Sequence, residues 1–217
     1  GETHVDTDDN IYAQKEKVVN ILLLGIDSDA EREEQRMGWR SDVMIVCSIN
    51  FATNEMSMIS IPRDTYTTVN KLDQSNGSIK TRVQDRINTA YSYGGGPNKY
   101  GADNAMDAIK ELLSCGGQFN IPIDYYASVD MEGLPKLIDA VGGVDVVLDR
   151  TVEGVGVKGE AVTITSKNVG YYVRVRHGTG GGDNGRAARQ MELIIQMMKK
   201  IQKMGAVSAA TKLYDET

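Results

Sequence analysis

The chain is short of positive charge. Its 217 residues hold 24 Lys and Arg against 30 Asp and Glu, a formal charge of −6, and the sequence pI is about 5.0. Proteins that grip a nucleic-acid backbone normally carry a broad Lys/Arg excess, so this balance argues against nucleic acid as the main partner. No apolar run approaches the ~20 residues needed to span a bilayer. Cysteine is scarce, with two residues. Cys47 sits in the apolar run "VMIVCSI" and reads as a buried small hydrophobe, Cys115 follows a helical pattern at a Gly-Gly turn, and sequence does not fix whether they pair. What is present is globular: 41% hydrophobic and 25% charged residues with only four prolines, enough to bury a real core in one domain with a peripheral layer. The polar start "GETHVDTDDN" sets residues 1–17 apart as a flexible linker before a domain over 18–217.

Along the chain, "KVVNILLLGID" reads as a strand buried on both faces and closed by Gly25. The charged segment "SDAEREEQRMGWR" follows, then "VMIVCSIN" and "EMSMISIP", two strands whose short link "FATN" suits an antiparallel hairpin. Residues 67–90 read as a polar surface excursion, and "DRINTAYSYGGGPNKYG" as a return through a Gly-rich turn. Ala105, Met106, Ile109, Leu112 and Leu113 recur at helical spacing, with Asp103 as the expected N-cap. "IPIDYYASVD" is then a strand, "MEGLPKLIDAVGG" a short helix stopped by two glycines, and "VDVVLD" a further strand. Residues 150–170 suggest a hairpin or loop. "YYVRVR" alternates as a strand does, and a long helix carries Met191, Ile194, Ile195, Met198 and Ile201 on one stripe.

Against the acidic background, "YYVRVRHGTGGGDNGRAARQ" (171–190) gathers four arginines. On a strand, Arg174 and Arg176 would share a face while Val173 and Val175 point to the core. Asp183, Arg186 and Gln190 fall three and four apart on the following helix, with Arg189 adjoining, and Asp183 suits the positive end of the helix dipole. Any one such residue is ordinarily solvated, and an i, i+3 Asp–Arg pair adds only a few tenths of a kcal/mol. Four together, linked by a Gly-rich turn, repel one another unless an anion lies between them; phosphate accepts their forked donors well. "RSD" and "PRD" each place an arginine beside a carboxylate at a strand end. If those strands are neighbours, Asp27, Asp42 and Arg63 lie along one rim of a sheet. Carboxylates beside a phosphate site repel the ligand unless a divalent cation joins the two.

The segments "LLLGID", "RSD", "SIPRDTY", "INTAYSYGG", "IPIDYYASVD", "LIDAVGGVDV", "YVRVR" and "DNGRAARQ" occur in this order. Together they closely resemble the extracytoplasmic catalytic domain of the LytR-CpsA-Psr family over roughly residues 18 to 200. The resemblance implies an α/β fold, a central mixed sheet flanked by helices, with a long pocket for a polyprenyl-pyrophosphate lipid. It implies transfer of a phosphorylated glycopolymer, such as wall teichoic acid or capsule, from that lipid to a sugar hydroxyl of peptidoglycan, with Mg²⁺ or Mn²⁺. By position, Asp27 and Asp42 correspond to metal-associated carboxylates, and Arg63, Arg174 and Arg176 to pyrophosphate-binding arginines. Asp183, Arg186, Arg189 and Gln190 fall in the final motif. Arg86 stands where many members have lysine before "IN.AY", keeping the charge with a different geometry. The "ITSKNVG" stretch before "YYVRVR" also departs from the usual pattern. The resemblance further implies an extracytoplasmic location and an N-terminal membrane helix, which this sequence does not contain.

The residues themselves agree with that chemistry. Cleaving a pyrophosphate requires charge stabilisation on the transferred phosphoryl and on the leaving phosphate, which arginines and a metal supply. His177 is the one histidine near the cluster, and the base is left open between an aspartate and activation by the metal. For the lipid, Ile109, Leu112, Leu134, Leu137, Ile194, Ile195 and Met198 are candidates whose spacing fits ordinary core equally well. Trp39 suits stacking on a sugar or, more commonly, packing. Pyrophosphate hydrolysis and a non-catalytic lipid- or wall-binding module are the alternatives.

Overall fold

The computed structural model describes residues 3–5, 11–13, 17–27, 39–130, 133–175 and 182–204. The chain divides into two compact units, Gly1–Val129 and Asp130–Thr217, each with its own apolar cluster.

The first unit opens with β1 (Thr3–Val5) paired antiparallel to β2 (Ile11–Ala13), a small ribbon inside the stretch expected as linker. Its main sheet runs β5-β4-β3-β8, from β3 (Val18–Asp27), β4 (Arg40–Asn50), β5 (Glu55–Ser60) and β8 (Tyr125–Asp130). β3 is an inner strand, as its apolar run requires, but its burial alternates: Leu22, Leu24 and Ile26 are fully covered while Ile21 and Leu23 are half-buried. At Gly25 the neighbouring strand comes so close that an added Cβ would lie 2.8 Å from Val43. Leu22, Leu24 and Ile26 pack with Met44 and Val46 of β4 against Ala105, Ala108 and Ile109. The last three lie on α2 (Gly101–Leu113), where small residues let the helix sit close to the sheet. Each fully buried Leu or Ile contributes roughly 1.5–3 kcal/mol. The helix begins three residues earlier than Asp103 suggested: Tyr100 occupies the N-cap, and Asp103 lies in the first turn.

Residues 67–90 are not an irregular excursion. β6 (Tyr66–Leu72) and β7 (Ile79–Arg86) form an antiparallel hairpin. Val69 and Val83 face each other and the core while the Thr, Lys and Arg side chains between them face out, so a half-wet ribbon reads as polar. The expected Gly-rich return also contains a helix, α1 (Thr89–Tyr93), with Ala90 and Tyr91 buried.

In the second unit, α3 (Leu134–Ala140) ends at Gly142 and Gly143, both at positive φ (73° and 76°), as the paired glycines predicted. Lys200 Nζ donates to the carbonyls of both (2.9 and 2.6 Å). β9 (Val144–Val147) pairs antiparallel with β10 (Ala161–Ile164), so residues 150–170 include the return strand of a hairpin. The cluster gathers Ile138, Val144, Val146, Ile164, Val169, Tyr172, Val173 and Leu193.

One sequence expectation fails here. "YYVRVR" is not a strand: Val169–Arg174 form a helix, α4. Its alternation is incidental, whereas Val169, Tyr172 and Val173 recur at i, i+3, i+4 and all three are buried. The turn ahead of it is fixed locally, with the Thr165 N–H donating to Asn168 Oδ1 at 2.8 Å. The final helix, α5 (Gly182–Met204), begins one residue before Asp183 but turns inward a stripe that shares only Ile201 with the one expected. Leu193, Met197, Ile201 and Met204 reach the cluster, while Met191, Ile194, Ile195 and Met198 are half-buried.

Among the described residues, no helix is long and apolar enough to cross a membrane. Cys47 is a buried free thiol on β4 and Cys115 an exposed one.

Candidate active site

The strand ends of the first unit meet as the sequence suggested. β3 and β4 are antiparallel and Asp27 pairs with Arg40, while β5 lies on the other side of β4 and runs toward Pro62 and Arg63. Asp27, Asp42 and Arg63 therefore share one rim by backbone position. The register holds a feature that no pattern revealed: Gly25 pairs with Val43 but Ile26 with Ser41. Asp42 is thus an extra residue on β4, in a β-bulge. Bulges bend a strand and re-aim a side chain out of its alternation, and the re-aimed group here is the carboxylate singled out for chemistry.

Arg63 Nη1 donates to Asp42 Oδ2 at 2.5 Å, in a pair with side-chain exposures of only 20% and 16%. Asn88 Nδ2 donates to the other oxygen, Oδ1, at 3.2 Å, and the Asn88 backbone N–H donates to the Arg63 carbonyl at 3.3 Å. The network continues outward. Asp64 lies 3.5 Å from Arg63 Nε and 3.4 Å from Arg86 Nη1, so guanidinium and carboxylate alternate from Arg86 to Asp42. Arg86 is itself braced, because its backbone N–H donates to Asp85 Oδ1 (2.7 Å) while Tyr93 Oη donates to Asp85 Oδ2 (2.6 Å). That Tyr93 hydrogen bond is the main cause holding the Asp85 carboxyl below its ordinary range, and Lys71 lies 4.7 Å above the Tyr93 ring. Trp39 takes the packing role, set against the first core.

The second group of arginines divides. Arg174 is exposed in the last turn of α4, so it stands at a helix end and not on a strand face. Arg176 and His177 lie outside the described residues, as do the side chains of Asp27 and Asp183. Arg186 and Arg189 are buried rather than solvated. Arg189 donates from Nε to the Tyr172 carbonyl at 2.7 Å and from Nη2 to the Val175 carbonyl. Gln190 Nε2 donates to the Val173 carbonyl at 3.1 Å. These are the orphan carbonyls that a helix C-terminus leaves, so "RAARQ" clasps the end of α4. Sequence reasoning missed this because the clasped segment was read as a strand.

The donors around Asp42 suit a hard cation. Among the described residues no three His, Cys, Asp or Glu side chains converge as a metal site. Asp42 offers a carboxylate, however, and Asn88 an amide oxygen, Oδ1, that is buried without a hydrogen-bond partner. Oxygen ligands of this kind, one carboxylate supplemented by water and substrate phosphate, fit Mg²⁺ or Mn²⁺.

The cavity found within the second unit, about 520 Å³, is lined by Asp145, Tyr172, Arg189 and Glu192 among others. One of about 400 Å³ in the first unit lies between Asn70, Arg82 and Asp107. Neither includes Asp42, Arg63 or Arg86. Of the expected lipid-lining residues, Ile109 lies in the first core, Leu112 and Leu134 pack against the two clusters, and Leu137, Ile194, Ile195 and Met198 are half-buried.

The LytR_cpsA_psr family model matches residues 2–217. The chain belongs to the LytR-CpsA-Psr family. An Oceanobacillus iheyensis relative named polyisoprenyl-teichoic acid–peptidoglycan teichoic acid transferase TagU is 35% identical over 94% of this chain and 58% of its own length. A Streptococcus agalactiae structure superposes with a TM-score of 0.70 at 30% identity, covering 92% of this chain and 66% of that one. B. subtilis TagV does so with a TM-score of 0.68 at 26% identity, over 94% and 72%. The α/β fold with flanking helices is that of these family structures. The chain spans a little over half the length of the curated relatives it matches.

Proposed function

We propose that the chain is the catalytic part of a phosphotransferase that moves a phosphorylated glycopolymer from a polyprenyl-pyrophosphate carrier to a sugar hydroxyl of peptidoglycan, outside the cell membrane. The observation that carries this reading is the half-buried Arg63–Asp42 pair on its bulge, extended by Asp64 and Arg86. The teichoic acid transferase named among its relatives supports the choice of donor and acceptor.

In this reading the acceptor oxygen attacks the phosphorus that bears the glycopolymer. The bond from that phosphorus to the bridging oxygen breaks, and polyprenyl monophosphate leaves with the bond's electron pair. Arg63 and Arg86 present forked donors to the pyrophosphate oxygens and stabilise charge on the transferred and leaving phosphoryl groups. Asp42, with Asp27 beside it on the rim, would hold Mg²⁺ or Mn²⁺, which when bound supplies neutralisation of the pyrophosphate charge. With its carboxylate on the cation, Asp42 would no longer hold Arg63, whose guanidinium could then face phosphate. The proton from the acceptor hydroxyl passes to an aspartate or to solvent.

The test is a transfer assay with lipid-linked donor, peptidoglycan fragments and Mg²⁺, following polymer joined to the fragment and polyprenyl phosphate released. Joined polymer is expected. Released polymer phosphate without joining would indicate a hydrolase, and retained lipid without turnover a binding module.

A further inference from the structure

Asn88 is placed where a helix-capping residue would be and does not cap. It is the N-cap of α1, yet its side chain makes no capping hydrogen bond. Its backbone is already helical (φ −65°, ψ −15°), whereas a capping side chain needs an extended backbone, so the side chain is available for another partner. Here the side chain is 1% exposed, Oδ1 accepts nothing, and Nδ2 donates to Asp42. A buried acceptor without a partner is destabilising, so the fold leaves that oxygen unsatisfied while it aims one N–H at a carboxylate. The neighbouring Ser41, fully buried in the bulge, also has an Oγ without a partner.

We infer that Asn88 is a positioning residue for Asp42: it holds the carboxylate in place while the opposite oxygen changes partner. This rests on the phosphotransfer reading above, in which Arg63 leaves Asp42 for phosphate and a cation takes its place. Of the two groups on Asp42, the charged one must move for that exchange. The neutral one can remain, since it neither repels a cation nor competes for phosphate. Asn88 is tied to the moving group through its backbone, because its N–H bonds the Arg63 carbonyl. Asn88 therefore keeps Asp42 and the base of Arg63 in register while the guanidinium turns.

The test compares Asn88→Ala and Asn88→Ser with wild type and with Asp42→Asn. Serine keeps a hydroxyl at the position but is too short to replace the bond to Asp42. Both Asn88 variants should unfold within a few degrees of the wild-type temperature. Both should bind Mn²⁺ alone, followed by its electron paramagnetic resonance, at least 5-fold more weakly. They should also need correspondingly more cation for half-maximal transfer, and kcat should fall more than the donor KM rises. Wild-type Mn²⁺ affinity and turnover in both Asn88 variants, with turnover lost in Asp42→Asn, would overturn the role of Asn88 and leave the phosphotransfer reading standing. Full turnover in Asp42→Asn would overturn both. A fall in unfolding temperature that accounts for the lost activity would show Asn88 to be structural.

Discussion

The arginine cluster of the first unit and the buried arginine clasp of the second are used in opposite ways. In the first, Arg63 and Arg86 face carboxylates at the ends of strands, in a partly open network of alternating charge. In the second, Arg189 is buried and donates to main-chain carbonyls, with Gln190 doing the same beside it. A guanidinium on a carboxylate can exchange its partner for phosphate, because both are anions with similar geometry. One that closes a helix end cannot leave without exposing unsatisfied carbonyls. The partner of an arginine, more than its place in a motif, decides whether it can take part in chemistry or only hold the site's frame.

The largest effect is expected from Asp42→Ala, which should abolish cation-dependent transfer in a protein that still folds, since neither Arg40 nor Ser41 can replace a carboxylate ligand. Unchanged turnover with Mg²⁺ would move the metal role to Asp27 or Asp64 and dissolve the contrast. Next is Arg189→Ala. Losing a buried charged donor from two carbonyls should cost about 2–3 kcal/mol, read as a lower denaturant midpoint with faster amide exchange in Val169–Arg174. A variant as stable as wild type but unable to bind donor would make Arg189 a ligand after all.

The smallest effect is on alkaline stability. Burial pushes the Tyr172 phenol up to about 12 from an ordinary 10.0, with Glu192 adding to the shift. The folded state thus favours the protonated phenol, so the associated stability is complete below pH ~10 and is lost as pH rises through about 12. Tyr172→Phe should remove that part of the alkaline slope. A slope unchanged in the variant would assign it to other groups.

Much of the first unit was legible because its signals were local. The apolar run of β3, the helical spacing from Ala105 to Leu113 in α2 and the glycines after α3 each point to one conformation. The meeting of Asp42 with Arg63 followed from two strand ends and the "FATN" link. The bulge that re-aims Asp42 was not legible, since it is a property of pairing between Gly25–Ile26 and Ser41–Val43 rather than of either segment. Nor was Asn88, although it lay inside the quoted "INTAYSYGG": nothing in a sequence says that an N-cap residue will decline to cap. The second unit was misread where two periods compete. Tyr171 to Arg176 satisfy the strand alternation, but Val169 lies outside that window, and it completes the helical triad with Tyr172 and Val173. Reading "YYVRVR" as a strand also concealed the clasp formed by Arg189 and Gln190, whose acceptors exist only if a helix ends there.

The central claim is that Arg63 serves phosphate through its forked geometry and does more than close a strand-end salt bridge. Arg63→Lys tests it most directly, measured as donor turnover beside thermal unfolding in matched Mg²⁺. A lysine keeps the charge and can still pair with Asp42, but a single ammonium cannot make the guanidinium's two-point contact. The account predicts turnover reduced by at least tenfold with the unfolding temperature changed by no more than a few degrees, because lysine keeps a positive charge opposite Asp42. Wild-type turnover in the lysine variant would contradict it.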